Sequence, residues 1–206
     1  CAFYGVTEDG NWEGKNILWR PSSVEEFAVE NKMEAADLKK RLKTCRQKLF
    51  AVRSKRVWPG LDNKILLSWN ALMTSAFAAA FTALGREEYR ETAIRNMDFL
   101  LKNFADGDSG RLRHSASQDD AFLEDYAFFI AALTDVYQIT FDVRYLQLAG
   151  KYTDYVLSYF HDSETGLFFF TDANQSDIIL RKKDLYDNAT PSGNSTMALN
   201  LQRLGI

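Results

Sequence analysis

The sequence predicts an all-α fold of repeated helical hairpins, and an internal repeat is the main observation behind this prediction. Residues 69–115 align with residues 125–171 without a gap, at an offset of 125 − 69 = 56 residues, and 9 of the 47 paired positions are identical. Each copy has the pattern of a helix, a turn, a second helix and a turn into a short apolar run. Since one such hairpin cannot bury its apolar face alone, hairpins must stack side by side.

The two helices of each copy differ in polarity, which predicts an (α/α)6-toroid with short β-hairpins between the helix pairs. The first helix of each copy, about 63–84 and 124–140, is apolar on nearly every face, and such a helix is buried on all sides. The second helix, about 87–104 and 143–160, is amphipathic. We therefore expect buried inner helices and half-exposed outer ones. Six hairpins at this spacing need about 6 × 56 = 336 residues, so we expect 206 residues to hold an incomplete toroid.

The remaining segments fit parts of the same barrel domain. Residues 1–60 are predicted as a loop and a charged amphipathic helical stretch that breaks near Asn31. Asp62 is placed to cap the next helix, which ends at Gly85. The first hairpin repeat then covers 61–115, the second covers 116–171, and 172–206 begin a third, whose inner helix starts near Ser192. Short strands are expected from residues 111 and 167, after turns rich in Asp, Ser and Gly.

Composition excludes several classes of partner. The net charge is −3 and no basic stripe is present, which argues against nucleic-acid binding. No apolar run reaches the roughly 18 residues of a membrane span. Two cysteines suit a reducing compartment, so we expect a cytoplasmic protein. The first residues are neither a signal peptide nor a natural start, and we expect the chain to be a piece of a longer protein.

In a ring of inner helices the N-termini collect at one end, which is named here the mouth. Backbone N–H groups and helix dipoles at that end favour anions and hydroxyl-rich ligands. Aromatic side chains add flat faces on which a sugar can stack. The residues predicted to bind substrate come from the helix starts and from one Trp-containing loop. They are Trp12, Asp62, Lys64, Trp69, Asn70, Tyr126, Ser192 and Asn194.

Glu124 and Asp125 are the best acid/base candidates, and His114 is a third. A carboxyl group in a pocket can be tuned into a general acid or base. Adjacent helical residues point about 100° apart, so one carboxylate can face the mouth while the other pairs elsewhere. The pattern is also typical of an ordinary acidic first turn that complements the helix dipole, and by pattern alone this interpretation is favoured. His114 lies in the loop that leads to Glu124, within reach of the mouth.

No cofactor and no metal are predicted. The sequence has no Gly-rich dinucleotide fingerprint, no phosphate-binding loop and no serine nucleophile elbow. Two histidines cannot form a zinc cluster. Asp119 and Asp120, with Glu124, invite comparison with the Mg²⁺ motif of α/α terpenoid enzymes, but the spacing is off by one residue. A terpenoid-type enzyme is therefore a distant third hypothesis.

Four motifs together resemble the YyaL and spermatogenesis-associated protein 20 family. They are residues 4–18, Asp62–Leu66 with Trp69–Asn70, Phe122–Ala127 and Pro191–Ser195. The resemblance implies an (α/α) barrel similar to six-hairpin glycosidases and N-acylglucosamine 2-epimerases, preceded in the family by a thioredoxin-like domain. This chain would be the central part of the barrel. The epimerase relatives depend on barrel histidines, and only His114 is suitably placed here, so the Glu/Asp pair fits a glycosidase-like site better.

Two function hypotheses follow. The leading one is a carbohydrate-active enzyme, either a sugar epimerase or isomerase or a glycoside-hydrolase-like protein, which uses the acidic residues at the mouth. The alternative is a non-catalytic scaffold or interaction domain attached to a thioredoxin-like domain. The expected partners are a small sugar and either the rest of the barrel or a second copy, bound through an apolar seam.

Overall fold

The computed structural model describes residues 1–107, 109–176 and 178–206, and its helices reproduce the internal repeat. The inner helices are α3 (Leu67–Leu84) and α5 (Leu123–Thr140), and the outer helices are α4 (Glu87–Phe104) and α6 (Val143–Tyr159). The starts and the ends of α3 and α5 are each 56 residues apart. The predicted hairpin repeat is therefore confirmed.

The other elements complete a mostly helical architecture. A 3-10 turn, Ala2–Tyr4, precedes α1 (Val24–Glu30) and α2 (Ala35–Arg53), and α7 (Gly193–Leu204) follows the second repeat. Two antiparallel strand pairs follow the outer helices. They are β1 (Ala105–Asp106) with β2 (Arg111–Leu112), and β3 (His161–Asp162) with β4 (Leu167–Phe168).

The described residues divide into two compact units, Cys1–Asp62 and Asn63–Ile206. In the first unit, Phe3, Ala28 and Leu38 form a small buried core. Ser23 caps α1 by accepting a hydrogen bond from the Glu26 backbone, and the Glu26 side chain returns a bond to the Ser23 backbone. The first of the two helices ends at Asn31, where the sequence predicts the break.

In the second unit α3, α5 and α7 lie side by side, with α4 packed on α3 and α6 packed on α5. Helix α5 is buried along nearly its whole length, as its uniformly apolar sequence predicts. Its aromatic residues Phe128 and Phe129 fill the core between the neighbouring helices. The third inner helix begins after Ser192, which also confirms the prediction.

The start of α3 differs from the prediction. The helix begins at Leu67 rather than near residue 63, and Asp62 does not cap it. The reason is that groups from the second repeat satisfy its first N–H donors. The Leu67 N–H donates to the His114 carbonyl at 3.0 Å, and the Ser68 N–H donates to Asp125 Oδ1 at 3.1 Å. A cap supplied from elsewhere in the fold leaves no local sequence signal.

The expectation that α3 is buried on all sides is also wrong. Trp69 and Met73 are 65% and 54% exposed, although α3 is as apolar as α5. By length and composition alone α3 is also apolar enough to cross a membrane, contrary to the sequence-based estimate. Its packing against α4 and α5 accounts for its composition as the inner helix of an array.

Candidate active site

The N-termini of the three inner helices meet, and so form the predicted mouth. The Asp125 carboxylate bonds the first turn of α3, and the Gly193 Cα lies against the first turn of α5. A Cβ added to Gly193 would lie 3.0 Å from Leu123 Cγ and 3.3 Å from the Glu124 backbone nitrogen. Glycine at this position therefore allows α7 to approach the residue that bears the Glu124 carboxyl.

Asp125 is fully buried, and both of its carboxylate oxygens are used. Oδ1 accepts from the Ser68 N–H at 3.1 Å, and Oδ2 accepts from the Phe122 N–H at 2.9 Å. Oδ2 also lies 2.8 Å from His114 Nδ1. This carboxylate caps its own helix and the neighbouring inner helix. It has little capacity left for a ligand.

His114 is held by Asp125 and is half-buried at the mouth. The hydrogen bond to the Asp125 carboxylate raises the pKa of the imidazole above its usual 6.5, with smaller effects from the charges of Asp125 and Glu124, while burial acts in the opposite direction. The ring also packs edge-on against Phe122, with centroids 5.1 Å apart. Within the described residues no side chain bonds Nε2.

Glu124 has the opposite environment from its neighbour. Its side chain is half-buried, and within the described residues it makes no hydrogen bond or ion pair. Burial raises the pKa of its carboxyl above 4.5, the negative charges of Asp125 and Asp184 raise it further, and His114 lowers it. A carboxyl group with a raised pKa and unused oxygens can exchange protons with a bound ligand.

Aromatic rings lie beside these groups. Phe122 stacks on Phe170 with centroids 4.7 Å apart and planes inclined by 15°. The Phe170 carbonyl accepts from the Leu123 N–H at 2.9 Å, which joins the strand that follows the second repeat to the start of α5. The apolar rings partly exclude water from the imidazole and the carboxyl.

The structure places the predicted binding residues in several environments. Trp69 is exposed near the start of α3, where it can contact a ligand. Asn70 donates from Nδ2 to the Leu66 carbonyl at 2.8 Å and lines a cavity of about 360 Å³ between α3 and α4. Lys64 is exposed in the segment that leads to α3, whereas Trp12 and Asp62 belong to the first unit.

Tyr126, Ser192 and Asn194 have structural contacts instead of open positions at the mouth. Tyr126 is buried in the core, where its hydroxyl accepts from the Leu112 N–H at 3.0 Å and donates to the Gly110 carbonyl. Ser192 caps α7. Asn194 uses its whole amide to brace β4 and the loop before α7, through the Phe168 backbone and the Asp184 carbonyl.

The Mg²⁺ comparison gains no support from the contacts. Asp119 and Asp120 pair with Arg113 and Arg111 at 3.3 and 3.2 Å. No group of three His, Cys, Asp or Glu side chains that could hold a metal lies within residues 1–107, 109–176 and 178–206.

Three contributors to the site escaped the sequence prediction. Phe122 and Gly193 fall inside motifs that were noticed, but spacing alone does not show that one packs on His114 and the other on α5. Asp184 affects the Glu124 carboxyl although 60 residues separate them in the chain. No sequence signal could have found it, because the loop before α7 brings it there.

Comparison with known proteins supports the resemblance. No family model matches the chain. Spermatogenesis-associated protein 20 of Rattus norvegicus is 35% identical over 224 residues, which cover 98% of this chain and 28% of that protein. The human protein of the same name is 34% identical over the same length. The chain thus spans under a third of these relatives.

Solved structures of sugar-processing proteins share the fold. A glycoside hydrolase family 76 alpha-mannanase of Bacteroides thetaiotaomicron has a TM-score of 0.58 and 14% identity, covering 70% of this chain and 39% of that one. A D-mannose isomerase has a TM-score of 0.57 and 16% identity, covering 73% and 39%. An inactive alpha-1,6-mannanase variant of Salegentibacter, with two adjacent aspartates changed to asparagine, has a TM-score of 0.57 and 13% identity, covering 88% and 51%. At these identities the likeness establishes the (α/α)6-toroid fold alone.

Proposed function

We propose, from the homology of this chain with spermatogenesis-associated protein 20, that it supplies one arc of a carbohydrate-active toroid whose mouth binds a sugar and moves protons. The fold is that of sugar isomerases and glycoside hydrolases. Glu124 is the acid/base group, and the exposed Trp69 offers a face for stacking on the sugar.

The observation that carries this proposal is the contrast between the two adjacent carboxyls. Asp125 is buried and saturated with hydrogen bonds, while Glu124 has free oxygens and a raised pKa. A carboxyl that only complemented the helix dipole would be solvated and would have a lowered pKa. In the Salegentibacter mannanase the inactive variant also alters two adjacent carboxylates, which is a precedent for such a pair in this fold.

The alternative is the non-catalytic scaffold. One observation favours it: Asp125, Ser192 and Asn194 all serve as structural contacts. Under this proposal the mouth holds loops in place, and Glu124 has no ligand. Binding of a sugar distinguishes the two functions.

The proposal includes the setting of the site. The rest of a barrel, or a second copy of this chain, completes the toroid, so that residues 1–206 form part of one barrel domain. No cofactor is needed for proton transfer to a sugar. We place the protein in the cytoplasm on the basis of its cysteine content alone.

The test compares sugar binding and turnover by proton NMR in the wild-type chain and in Glu124→Gln. Glu164→Gln is the matched control, because Glu164 lies exposed in the turn between β3 and β4. Free sugars and N-acetyl sugars are screened by saturation transfer, and products are followed in the same samples. We expect binding in all three proteins, with turnover lost only in Glu124→Gln.

Equal turnover in Glu124→Gln and wild type would remove Glu124 from the chemistry. Binding without turnover in any of the three proteins would leave a lectin-like barrel. Absence of binding in the wild-type chain would favour the scaffold.

A further inference from the structure

We infer that His114, oriented by Asp125, is the base that accepts a carbon-bound proton, and that the site interconverts an aldose and a ketose rather than hydrolysing a glycoside. This inference rests on the proposed function, since it specifies the reaction at the same mouth. It also assigns Asp125 as a positioning residue, which acts through His114 and does not touch the substrate.

The first step is the rigidity of Asp125. Two backbone N–H groups, from Ser68 and Phe122, donate to its two oxygens, and the residue has no exposed surface. The oxygen that faces His114 is thereby fixed in place by two different inner helices. A carboxylate held in this way keeps an imidazole in one orientation.

The second step is the tautomer of His114. Because Asp125 is acceptor-only when ionised, the 2.8 Å contact at Nδ1 requires the imidazole to donate from Nδ1. The neutral ring then carries its lone pair on Nε2, the nitrogen that no described side chain bonds. Edge contact with Phe122 holds the plane of the ring. The mouth therefore presents a base with a fixed direction.

The third step excludes the usual arrangement for glycoside hydrolysis within this chain. That reaction uses two carboxyl groups, one as acid and one as nucleophile or base, on the two sides of the glycosidic bond. Of the adjacent pair, only Glu124 has oxygens available, since Asp125 is saturated and buried. The free groups are one carboxyl and one imidazole.

One base and one acid suffice for aldose–ketose isomerisation. His114 Nε2 takes the proton from carbon 2 of the open-chain aldose, and the C–H electron pair forms a carbon 1–carbon 2 double bond. The carbonyl π pair moves to oxygen 1, which takes the proton of the Glu124 carboxyl, giving an enediol. Glu124 then takes the proton from oxygen 2 as the carbonyl forms there, and His114 returns its proton to carbon 1. Both groups end as they began, and no oxidant or reductant is required.

Epimerisation at carbon 2 has a further requirement that this chain does not meet. The proton must leave from one face and return to the other, which takes a second base across the sugar. The only other histidine, His161, lies in β3 against Phe168, with ring centroids 5.5 Å apart. The single imidazole at the mouth is thus matched to transfer on one face.

The test incubates the wild-type chain with D-mannose, D-glucose or D-fructose in D₂O and follows carbon-bound deuterium by NMR. His114→Gln removes the base, and His161→Gln is the matched control. We expect conversion between aldose and ketose, with deuterium at carbon 2 of the aldose or carbon 1 of the ketose. The rate should fall about 100-fold or more in His114→Gln and stay within about threefold in His161→Gln.

A second measurement reports on Asp125 and is independent of turnover. Two-dimensional ¹H–¹⁵N spectra of the imidazoles resolve two rings, one for each histidine. In the wild type His114 should carry its proton on Nδ1, and in Asp125→Asn it should lose this tautomer preference and titrate at lower pH. Preserved tautomer and titration in the folded variant would show that Asp125 does not orient the ring.

Each other outcome decides between the two levels of proposal. Turnover that is unchanged in His114→Gln, or hydrolysis without deuterium exchange, overturns the isomerase inference and leaves the sugar-active mouth intact. If the wild-type chain neither binds nor converts any sugar, both proposals fail together. A ring protonated on Nε2 in the wild type overturns the role of His114 as the base even where turnover is seen.

Discussion

Glu124 and Asp125 share a chemical type and a position in the chain, yet the fold treats them differently. Asp125 replaces a missing local cap on α3 and also caps α5, so its charge is part of the framework. Glu124, one residue earlier, projects where its oxygens meet no donor among the described residues. The sequence predicts that such a pair can divide its functions, but it does not say which residue takes which.

The different environments predict different costs of removal. Asp125→Ala leaves two buried backbone N–H groups and the His114 ring without an acceptor, so we expect a loss of about 2–4 kcal/mol of unfolding free energy. Glu124→Gln removes no hydrogen bond and should change it by less than about 0.5 kcal/mol. Urea denaturation followed by circular dichroism measures both. Equal losses in the two variants would contradict the assignment of Asp125 as the structural member.

At the scale of elements, the hairpins could be predicted because their signals are local. The 56-residue repeat, the apolar α5 and the glycine stop at Gly85 all follow from hydrophobic periodicity and turn chemistry. The start of α3 and the approach of Asp184 to Glu124 could not be predicted, because they depend on contacts between segments far apart in the chain. For the same reason the burial of Tyr126 was missed: a Tyr beside an acidic pair reads equally well as binding or core.

The close approach of α7 to α5 predicts a specific sensitivity at Gly193. In Gly193→Ala the new methyl group would press on Leu123 and the Glu124 backbone, so we expect a loss of about 1–3 kcal/mol and a shifted Glu124 pKa. Gly150→Ala is the control, since Gly150 lies within α6 with open space around a Cβ, and should add about 0.5–1 kcal/mol. Denaturation curves of both variants check this, and a neutral Gly193→Ala would show that the two helices are not tightly packed.

For the whole molecule, the repeat shows where the array is open. Met73 of α3 corresponds to Phe129 of α5, and they are 54% and 0% exposed. Trp69 likewise corresponds to Asp125, which α3 covers. An inner helix packed against α3, as α3 is packed against α5, would cover the same face. The exposed apolar face of α3 is therefore the seam at which another hairpin, or another copy, is expected to dock.

The open seam predicts that the isolated chain self-associates. We expect concentration-dependent oligomers in sedimentation velocity experiments, and an association roughly tenfold weaker in Trp69→Gln, because an aromatic residue at the centre of an apolar patch contributes most to binding. Ile179→Gln serves as the control, since Ile179 is fully exposed outside this face. A monodisperse wild-type monomer at all concentrations would count against the toroid.

The central claim, that the mouth holds a tuned acid beside a positioned base, is tested most directly by NMR titration of the Glu124 carboxyl and the His114 ring in selectively labelled protein. Folding raises both pKa values, so both groups bind protons more tightly in the folded state. Their contribution to stability is full below the unfolded pKa values and is lost as the pH rises through the folded ones. We predict a Glu124 pKa above 4.5 and a His114 pKa above 6.5, both changed by a bound sugar. A Glu124 pKa at or below 4.5, unaffected by sugars, would contradict the account and identify the pair as an ordinary acidic helix start.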